Sequence, residues 1–276
     1  MRVLDAPEPG YTSGCVLVPT MGALHPGHAA LIQHARSIAD QRRARVVVTI
    51  FVNPTQFNEP ADFDRYPRTP VEDLALCERS GADAVFSPPP RIVYPPGAPV
   101  PTPPLPEVAT RPGLEDAHRP GHFAGVCQVV SRLFDLMRPG VGVFGEKDWQ
   151  QLQVIRAMTI AQFRPIDIVP AQTVREPDGL AMSSRNRHLD PAARATAAGI
   201  YRALAGAAAE RSGPAAAERV LAESLAESGI TPEYAVVRDA RTLLAPQSAP
   251  PAPCRALVAA RVGTVRLIDN VPCQPT

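Results

Sequence analysis

The segment Arg45-Val-Val-Val-Thr-Ile-Phe-Val52 is β-branched and almost continuously apolar. A strand with one wet face alternates apolar and polar residues. An unbroken run instead suits a strand buried on both faces, as in a parallel sheet. The flanking sequence agrees. Cys15 to Val18 is a short apolar run, and a helix is expected from about Pro26, with Leu31, Ile32, Ala35, Ile38 and Ala39 on one face. Pro26 suits a first helical turn, where its missing N–H costs nothing.

The alternation continues. A second helix is expected from Pro70, with Glu72 and Asp73 in its first turn and Gly81 after its end, then a strand over Ala82 to Phe86. Residues 87–113 are Pro-rich and without period, and read as a surface excursion. A third helix carries Val126, Val129, Val130, Leu133, Phe134 and Met137 on one stripe. Strand Val141 to Phe144, a helix from Asp148 to about Gln162 and strand Ile166 to Val169 follow. Repeated β-then-α units predict an α/β fold: a Rossmann-like parallel sheet wrapped on both faces, with ligands at the carboxyl ends of its strands.

After about residue 173 the texture changes. Ala-rich helical stretches at 191–211 and 214–228 precede strand candidates Glu233 to Val237, Ala256 to Ala260 and Thr264 to Ile268. The expectation is a domain over residues 1–173 and a smaller C-terminal α+β domain over 174–276.

Composition narrows the function. With 28 Lys+Arg against 27 Asp+Glu, the net charge of +1 gives no broad electrostatic footprint for nucleic acid. No apolar run approaches a membrane span, and the N-terminus lacks the order of a signal peptide. The five cysteines are scattered and form no CxxC, which argues for reduced thiols in a reducing, cytoplasmic setting.

Three motifs carry chemistry. Pro19-Thr-Met-Gly-Ala-Leu-His25-Pro-Gly-His28 lies between a strand and a helix N-terminus, where free N–H groups and the helix dipole favour an anion. Two imidazoles three residues apart there can hydrogen-bond phosphate oxygens as charge shifts. Gly22 and Gly27 let a nucleotide approach the backbone. The second motif is Phe144-Gly-Glu-Lys-Asp-Trp-Gln-Gln151, where Gly145 permits a turn, Asp148 can cap the helix and Lys147 offers a cation. Gln151 adds an amide about one turn further on. In the third, Asp178-Gly179 signals a tight turn before Met182-Ser183-Ser184-Arg185, whose hydroxyls and guanidinium all donate to phosphate. Taken singly, the first segment reads about equally as capping histidines, while the second and third read more readily as a capped helix and a solvated loop. Their coincidence favours one nucleotide site. Asn53-Pro-Thr-Gln56, Arg119-Pro-Gly-His122 and Tyr66-Pro-Arg68 are softer candidates. Neither a P-loop, a G-x-G-x-x-G fingerprint nor zinc-ligand spacing is present.

The segments PTMGALHPGH, IFVNPTQF, RYPRT, RPGHFAGV, VFGEKDWQQL and DGLAMSSRNRHL resemble, in order and spacing, those of the pantothenate synthetases, the pantoate–β-alanine ligase family of the HxGH-type nucleotidyltransferases. Tyr234 to Asp239 and Arg261 to Asn270 resemble it too. HxGH alone is shared with other adenylyltransferases acting on other acids; the combination is specific. The resemblance implies ATP-dependent condensation of pantoate with β-alanine through a pantoyl adenylate, with Mg²⁺ accompanying ATP, in a cytoplasmic homodimer. It implies that Met21, Gly22, Ala23, Leu24, His25, Gly27, His28, Gly145, Glu146, Lys147, Asp148, Val174, Met182, Ser183, Ser184 and Arg185 line the ATP site. His25, His28, Lys147, Ser183, Ser184 and Arg185 would stabilise the transfer, with His28 as proton donor, while Thr20, Asn53, Gln56 and Gln151 would take substrate. No set of protein ligands for the metal is implied; Glu72 and Asp73 are candidates. Three departures stand out: Pro26 where Glu is common, Asp116 where Gly is usual, and a shortened helix before the first strand.

Overall fold

A computed structural model describes residues 1–57, 60–247 and 253–274, with the backbone alone for 60–62. The chain divides into two compact units. The first comprises Met1–Thr110, Glu115–Glu146 and Gln151–Gln172; the second comprises Arg111–Leu114, Lys147–Gln150 and Thr173–Thr276.

In the first unit the elements run β1 (Arg2–Leu4), β2 (Val16–Thr20), α1 (Pro26–Arg42), β3 (Val46–Ile50), α2 (Pro60–Arg65), α3 (Pro70–Arg79), β4 (Ala84–Phe86), α4 (Pro90–Val93), α5 (Glu115–His118), α6 (His122–Met137) and β5 (Val141–Gly145). Helix α7 (Trp149–Ala161) and β6 (Asp167–Ala171) complete it, with Trp149 and Gln150 counted in the second unit. Among the described residues, six parallel strands form one sheet in the order β1-β4-β3-β2-β5-β6. The valine run lies centrally, with Val46, Val47 and Val48 all fully buried. Val16, Val46, Val141 and Val143 pack with Ile32, Ala35 and Ala39 of α1 on one face. On the other face Phe144 meets Phe134 of α6. The sheet is therefore wound on both sides, a Rossmann-like arrangement.

The direction in which successive strands are added reverses between β2 and its parallel neighbour β5, since β3 and β4 lie to one side and β6 to the other. That is a topological switch point, and the carboxyl ends beside it are where ligands bind in such sheets. The chain leaves those ends at Thr20 and Gly145, the second residue of each of the first two sequence motifs.

Three expectations need correction. The N-terminal segment, read as a shortened helix, forms β1 instead. Pro7 and Pro9 oppose a helix, and Arg2 N–H donates to Asp83 O while Ser87 N–H donates to Leu4 O. The Pro-rich stretch is not a bare excursion: it contains α4 and a 3-10 turn over Glu107–Ala109, and Val93, Val108 and Ala109 are buried. Asp148 does not cap α7, because Glu146–Asp148 is itself a 3-10 turn running straight into that helix.

Asp83 ties the sheet edge together. Its carboxylate accepts from Val46 N (2.8 Å) and Arg36 Nη1 (2.7 Å), while its backbone joins β1 and β3. Burial raises its pKa, but the Val46 hydrogen bond and the Arg36 charge outweigh that and hold it below the ordinary carboxylate value. A carboxyl with a depressed folded pKa contributes stability that is present above its unfolded pKa and lost as pH falls through the folded value. Asp83→Asn should therefore cost about 1–2 kcal/mol at pH 7. The difference should shrink as pH falls below the folded pKa of Asp83, measured as urea midpoints along a pH series.

The second unit holds α8 (Pro191–Ala209), α9 (Pro214–Glu227) and an antiparallel sheet β7 (Pro232–Asp239), β8 (Cys254–Val262) and β9 (Val265–Cys273), in the order β7-β8-β9. Leu204, Leu221 and Leu225 of the helices pack on Val237, Val258 and Leu267. Alanines at Ala197, Ala203 and Ala217 let helices and sheet approach closely. The Asp178-Gly179 turn forms as expected: Arg175 bridges Ala181, Gly179 N–H donates to Glu176 O, and Met182 N–H donates to Val174 O. All five cysteines are free and buried, and burial pushes the thiols of Cys15, Cys77 and Cys127 up to about 12. Among the described residues no helix is long and apolar enough to cross a membrane.

Candidate active site

Helix α1 begins in a reciprocal cap made by the two histidines. His25 is the N-cap, not a member of the first turn, and its Nδ1 accepts from Gly27 N (3.1 Å). His28 reaches back, its Nδ1 accepting from His25 N (3.2 Å). The two rings lie 4.0 Å apart between centroids. An acceptor at Nδ1 puts the proton of the neutral imidazole on Nε2, a donor able to meet an anion. Capping and anion binding are thus compatible here rather than rival readings.

The loop feeding this cap is held from one residue. Asp73, buried in the first turn of α3, accepts from Ala23 N (3.0 Å) with Oδ2 and from Leu24 N (2.7 Å) with Oδ1. Thr69 Oγ1 donates to the same carboxylate at 3.0 Å. Those bonds hold Ala23 in the left-handed region at φ 51°, a conformation costing an alanine about 1 kcal/mol. Gly22, at φ 79°, has no room for a side chain, since a Cβ there would stand 2.9 Å from Asp73 Oδ2. Thr20 Oγ1 donates to Thr49 O (2.6 Å) and accepts from Gly22 N (3.3 Å), fixing the start of the loop to β3.

Gln56 sits in a 3-10 turn, Pro54–Gln56, capped by buried Asn53. Its Nε2 donates to Met21 Sδ (2.8 Å) and its Oε1 accepts from Asn53 Nδ2 (3.3 Å). Asn53 itself is fully engaged, accepting from Tyr94 Oη (2.8 Å) and donating to Gly125 O (3.1 Å). The turn is seated directly on α6. Gly125 makes this possible: a Cβ there would stand 2.3 Å from Thr55 O and 2.8 Å from Gln56 Cα. His122 completes the seat. Arg119 Nη1 lies 3.0 Å from its Nε2, and its Nδ1 lies 3.0 Å from Gln56 O. As arginine only donates, the ring proton is on Nδ1 and is given to Gln56 O. Gln151 lies half-buried in the first turn of α7.

In the second unit, Ser183 caps a 3-10 turn over Ser184–His188, its Oγ accepting from Arg185 N (3.3 Å). Val174 and Met182 face one another across the hairpin. Lys147 Nζ lies 3.8 Å from Asp148 Oδ1. Tyr66 packs edge-on against Phe57, and Arg68 donates to the carbonyls of Phe63 and Tyr66.

A family model described as pantoate-beta-alanine ligase matches residues 6–272. The chain belongs to the pantoate–β-alanine ligase family. A pantothenate synthetase of Nocardioides sp. is 50% identical over 262 residues, 93% of this chain and 78% of the relative. One from Cereibacter sphaeroides is 47% identical over 275 residues, 98% and 95% of the two chains. Among solved structures, a pantothenate synthetase of Thermus thermophilus superposes with a TM-score of 0.87 at 39% identity, covering 100% of both chains. The pantoate–β-alanine ligase of Francisella tularensis, solved with beta-gamma ATP and β-alanine, gives 0.77 at 31% identity, covering 99% and 97%. Membership in the pantoate–β-alanine ligase family disfavours a different HxGH-type adenylyltransferase.

Sequence reasoning missed the supports of this ligase-family site. Asp73, offered as a metal ligand or helix-start charge, is the anchor of the signature loop. His122, read as part of a cap-and-turn, and Gly125, given no role, seat Gln56. Asp73→Ala would leave two backbone N–H groups without their acceptor, at about 1–3 kcal/mol each. The expected loss is about 2–4 kcal/mol, read as a lowered urea midpoint; an unchanged midpoint would contradict the anchoring role.

Proposed function

We propose that this chain joins (R)-pantoate to β-alanine at the expense of ATP, releasing AMP and pyrophosphate. A carboxylate oxygen of pantoate attacks the α-phosphorus, and the bond from that phosphorus to the β-phosphate oxygen breaks. The β-alanine amine then attacks the acyl carbon. The carbon–oxygen bond to AMP breaks, the amine gives up a proton and pantothenate is formed. Adenylation replaces a poor leaving group with a good one, which is why the amide forms near neutral pH.

The observation that carries this reading is the family match over residues 6–272 in a chain that keeps every residue the chemistry calls for. His25 and His28 donate from Nε2 to phosphate oxygens, and His28 is the proton donor. Lys147, Ser183, Ser184 and Arg185 stabilise charge on the triphosphate as it transfers. Met21 to Leu24, Gly27, Gly145, Glu146, Asp148, Val174 and Met182 line the nucleotide. Gln56 and Gln151 hold pantoate, Gln56 also touches β-alanine, and Thr20 and Asn53 support them. Residues 1–173 bind ATP and pantoate, while 174–276 carry the Met182–Arg185 loop. Asp73 is occupied by backbone donors, and no group of three or more His, Cys, Asp or Glu among the described residues can hold a metal. Mg²⁺ therefore fits best as part of the MgATP substrate, held by phosphate oxygens and water. The working form is a cytoplasmic homodimer.

The test mixes the chain with MgATP, D-pantoate and β-alanine and follows AMP. Release that requires both pantoate and β-alanine is expected; AMP formation indifferent to pantoate would reject the assignment.

A further inference from the structure

Strand β9 sends adjacent polar side chains to opposite faces of its sheet, as strand geometry requires. Asp269 points to the face covered by α8 and α9, where its carboxylate takes both arms of Arg175, Nη1 at 2.7 Å and Nη2 at 3.1 Å. Arg175 also stacks on Tyr201 of α8, 4.1 Å from the ring centre, and donates to Gly179 O. The hairpin that leads into Met182–Arg185 is thereby fixed to β9. Gly179 lies so close to Tyr201 that a Cβ would come within 2.1 Å of its ring.

Asn270 points to the other face. Its Oδ1 accepts from the buried Arg255 (2.7 Å), and its Nδ2 donates to the carbonyl of Lys147 (2.9 Å). The guanidinium of Arg255 lies 3.3 Å over the Trp149 ring, and Trp149 Nε1 donates to Ala240 O (2.8 Å). Arg255 can only donate, so the amide of Asn270 has one allowed orientation, with its NH₂ on Lys147. These contacts cross 123 residues of chain, yet all lie within the second unit. The apolar cluster packed under α8 and α9 lies on the opposite face of the sheet.

We propose that Asn270 is a positioning residue for acid activation: from β9 it fixes the backbone of Lys147, while the residue before it, Asp269, fixes the hairpin that leads into Ser183–Arg185. Two phosphate-contact segments are thus referenced to one strand. The proposal rests on the ATP-dependent reading above. Losing the reference displaces Lys147 by a fraction of an ångström to an ångström, a shift that matters where charge develops on phosphate and not where amine meets acyl carbon.

Asn270→Asp is the discriminating variant. It keeps the acceptor for Arg255 but replaces the donor to Lys147 O with a second acceptor. Pantoate-dependent exchange of labelled pyrophosphate into ATP, measured without β-alanine, should fall about tenfold or more. Conversion of added pantoyl adenylate and β-alanine to pantothenate should stay within about twofold of the unmodified chain. Asn270→Ala, which removes both hydrogen bonds without adding charge, should give the same split and is read in its place should the aspartate not fold. A merely structural role lowers both half-reactions together with the folded fraction. Equal losses in the two, or exchange within about twofold of the unmodified chain, overturns the proposal. No pantoate-dependent exchange in the unmodified chain would take down the parent reading and this one with it.

Discussion

Replacing His28 with alanine should slow pantoate-dependent pyrophosphate release about 10²- to 10³-fold, the usual cost of removing one donor aimed at developing charge. His28 has two jobs, and they are separable. Its Nδ1 closes the cap of α1 by accepting from His25 N, and in the proposed reaction its Nε2 is the donor to phosphate. Loss of the cap costs about 0.5–2 kcal/mol of stability. His28→Gln distinguishes the two, because glutamine at this helical position reaches back to the cap in the same way. The glutamine variant should recover most of the melting temperature lost by the alanine variant and little of the rate. Near-normal rates in His28→Ala would remove the imidazole from the account.

Gly125→Ala should be nearly as damaging, though residue 125 is placed in no substrate contact. The added methyl would stand 2.3 Å from Thr55 O, 2.6 Å from Thr55 C and 2.8 Å from Gln56 Cα. These are backbone atoms and no rotamer change relieves them, so the 3-10 turn must lift off α6. A displacement of about 1 Å costs on the order of 10²-fold in well-positioned sites. The fall should appear in kcat/KM for pantoate, with the KM for ATP nearly unchanged. Overpacking should add about 1–3 kcal/mol of destabilisation. Losses of equal size for both substrates would mean that the turn does not serve pantoate.

The frame of the fold was legible because it is written in local signals. The valine run of β3 announced a doubly covered strand, and Pro26, Pro70, Pro191 and Pro214 each stand at the start of a helix. What escaped depends on partners distant in sequence. Three residues of β1 have no pattern of their own and become a strand by pairing with β4. The proline-rich stretch looked unanchored until Val93 and Val108 were placed in the core. Among the residues assigned roles in the proposed reaction, His25, His28, Gln56, Lys147 and Ser183–Arg185 are readable from residue type and motif alone. The residues holding them are not. Asp73 meets a loop 50 positions earlier, and Asn270 a carbonyl 123 positions earlier. Neither spacing leaves a mark in one sequence.

The central claim is that a pantoate oxygen forms a bond to the α-phosphorus of ATP. Pantoate labelled with ¹⁸O in its carboxylate tests it directly when turned over with ATP and β-alanine and the nucleotide product is weighed. One labelled oxygen should appear in AMP, since the bond that breaks in amide formation leaves the carboxylate oxygen on phosphorus. Label in inorganic phosphate, with ADP as the nucleotide, would mean attack at the γ-phosphorus and would contradict the account.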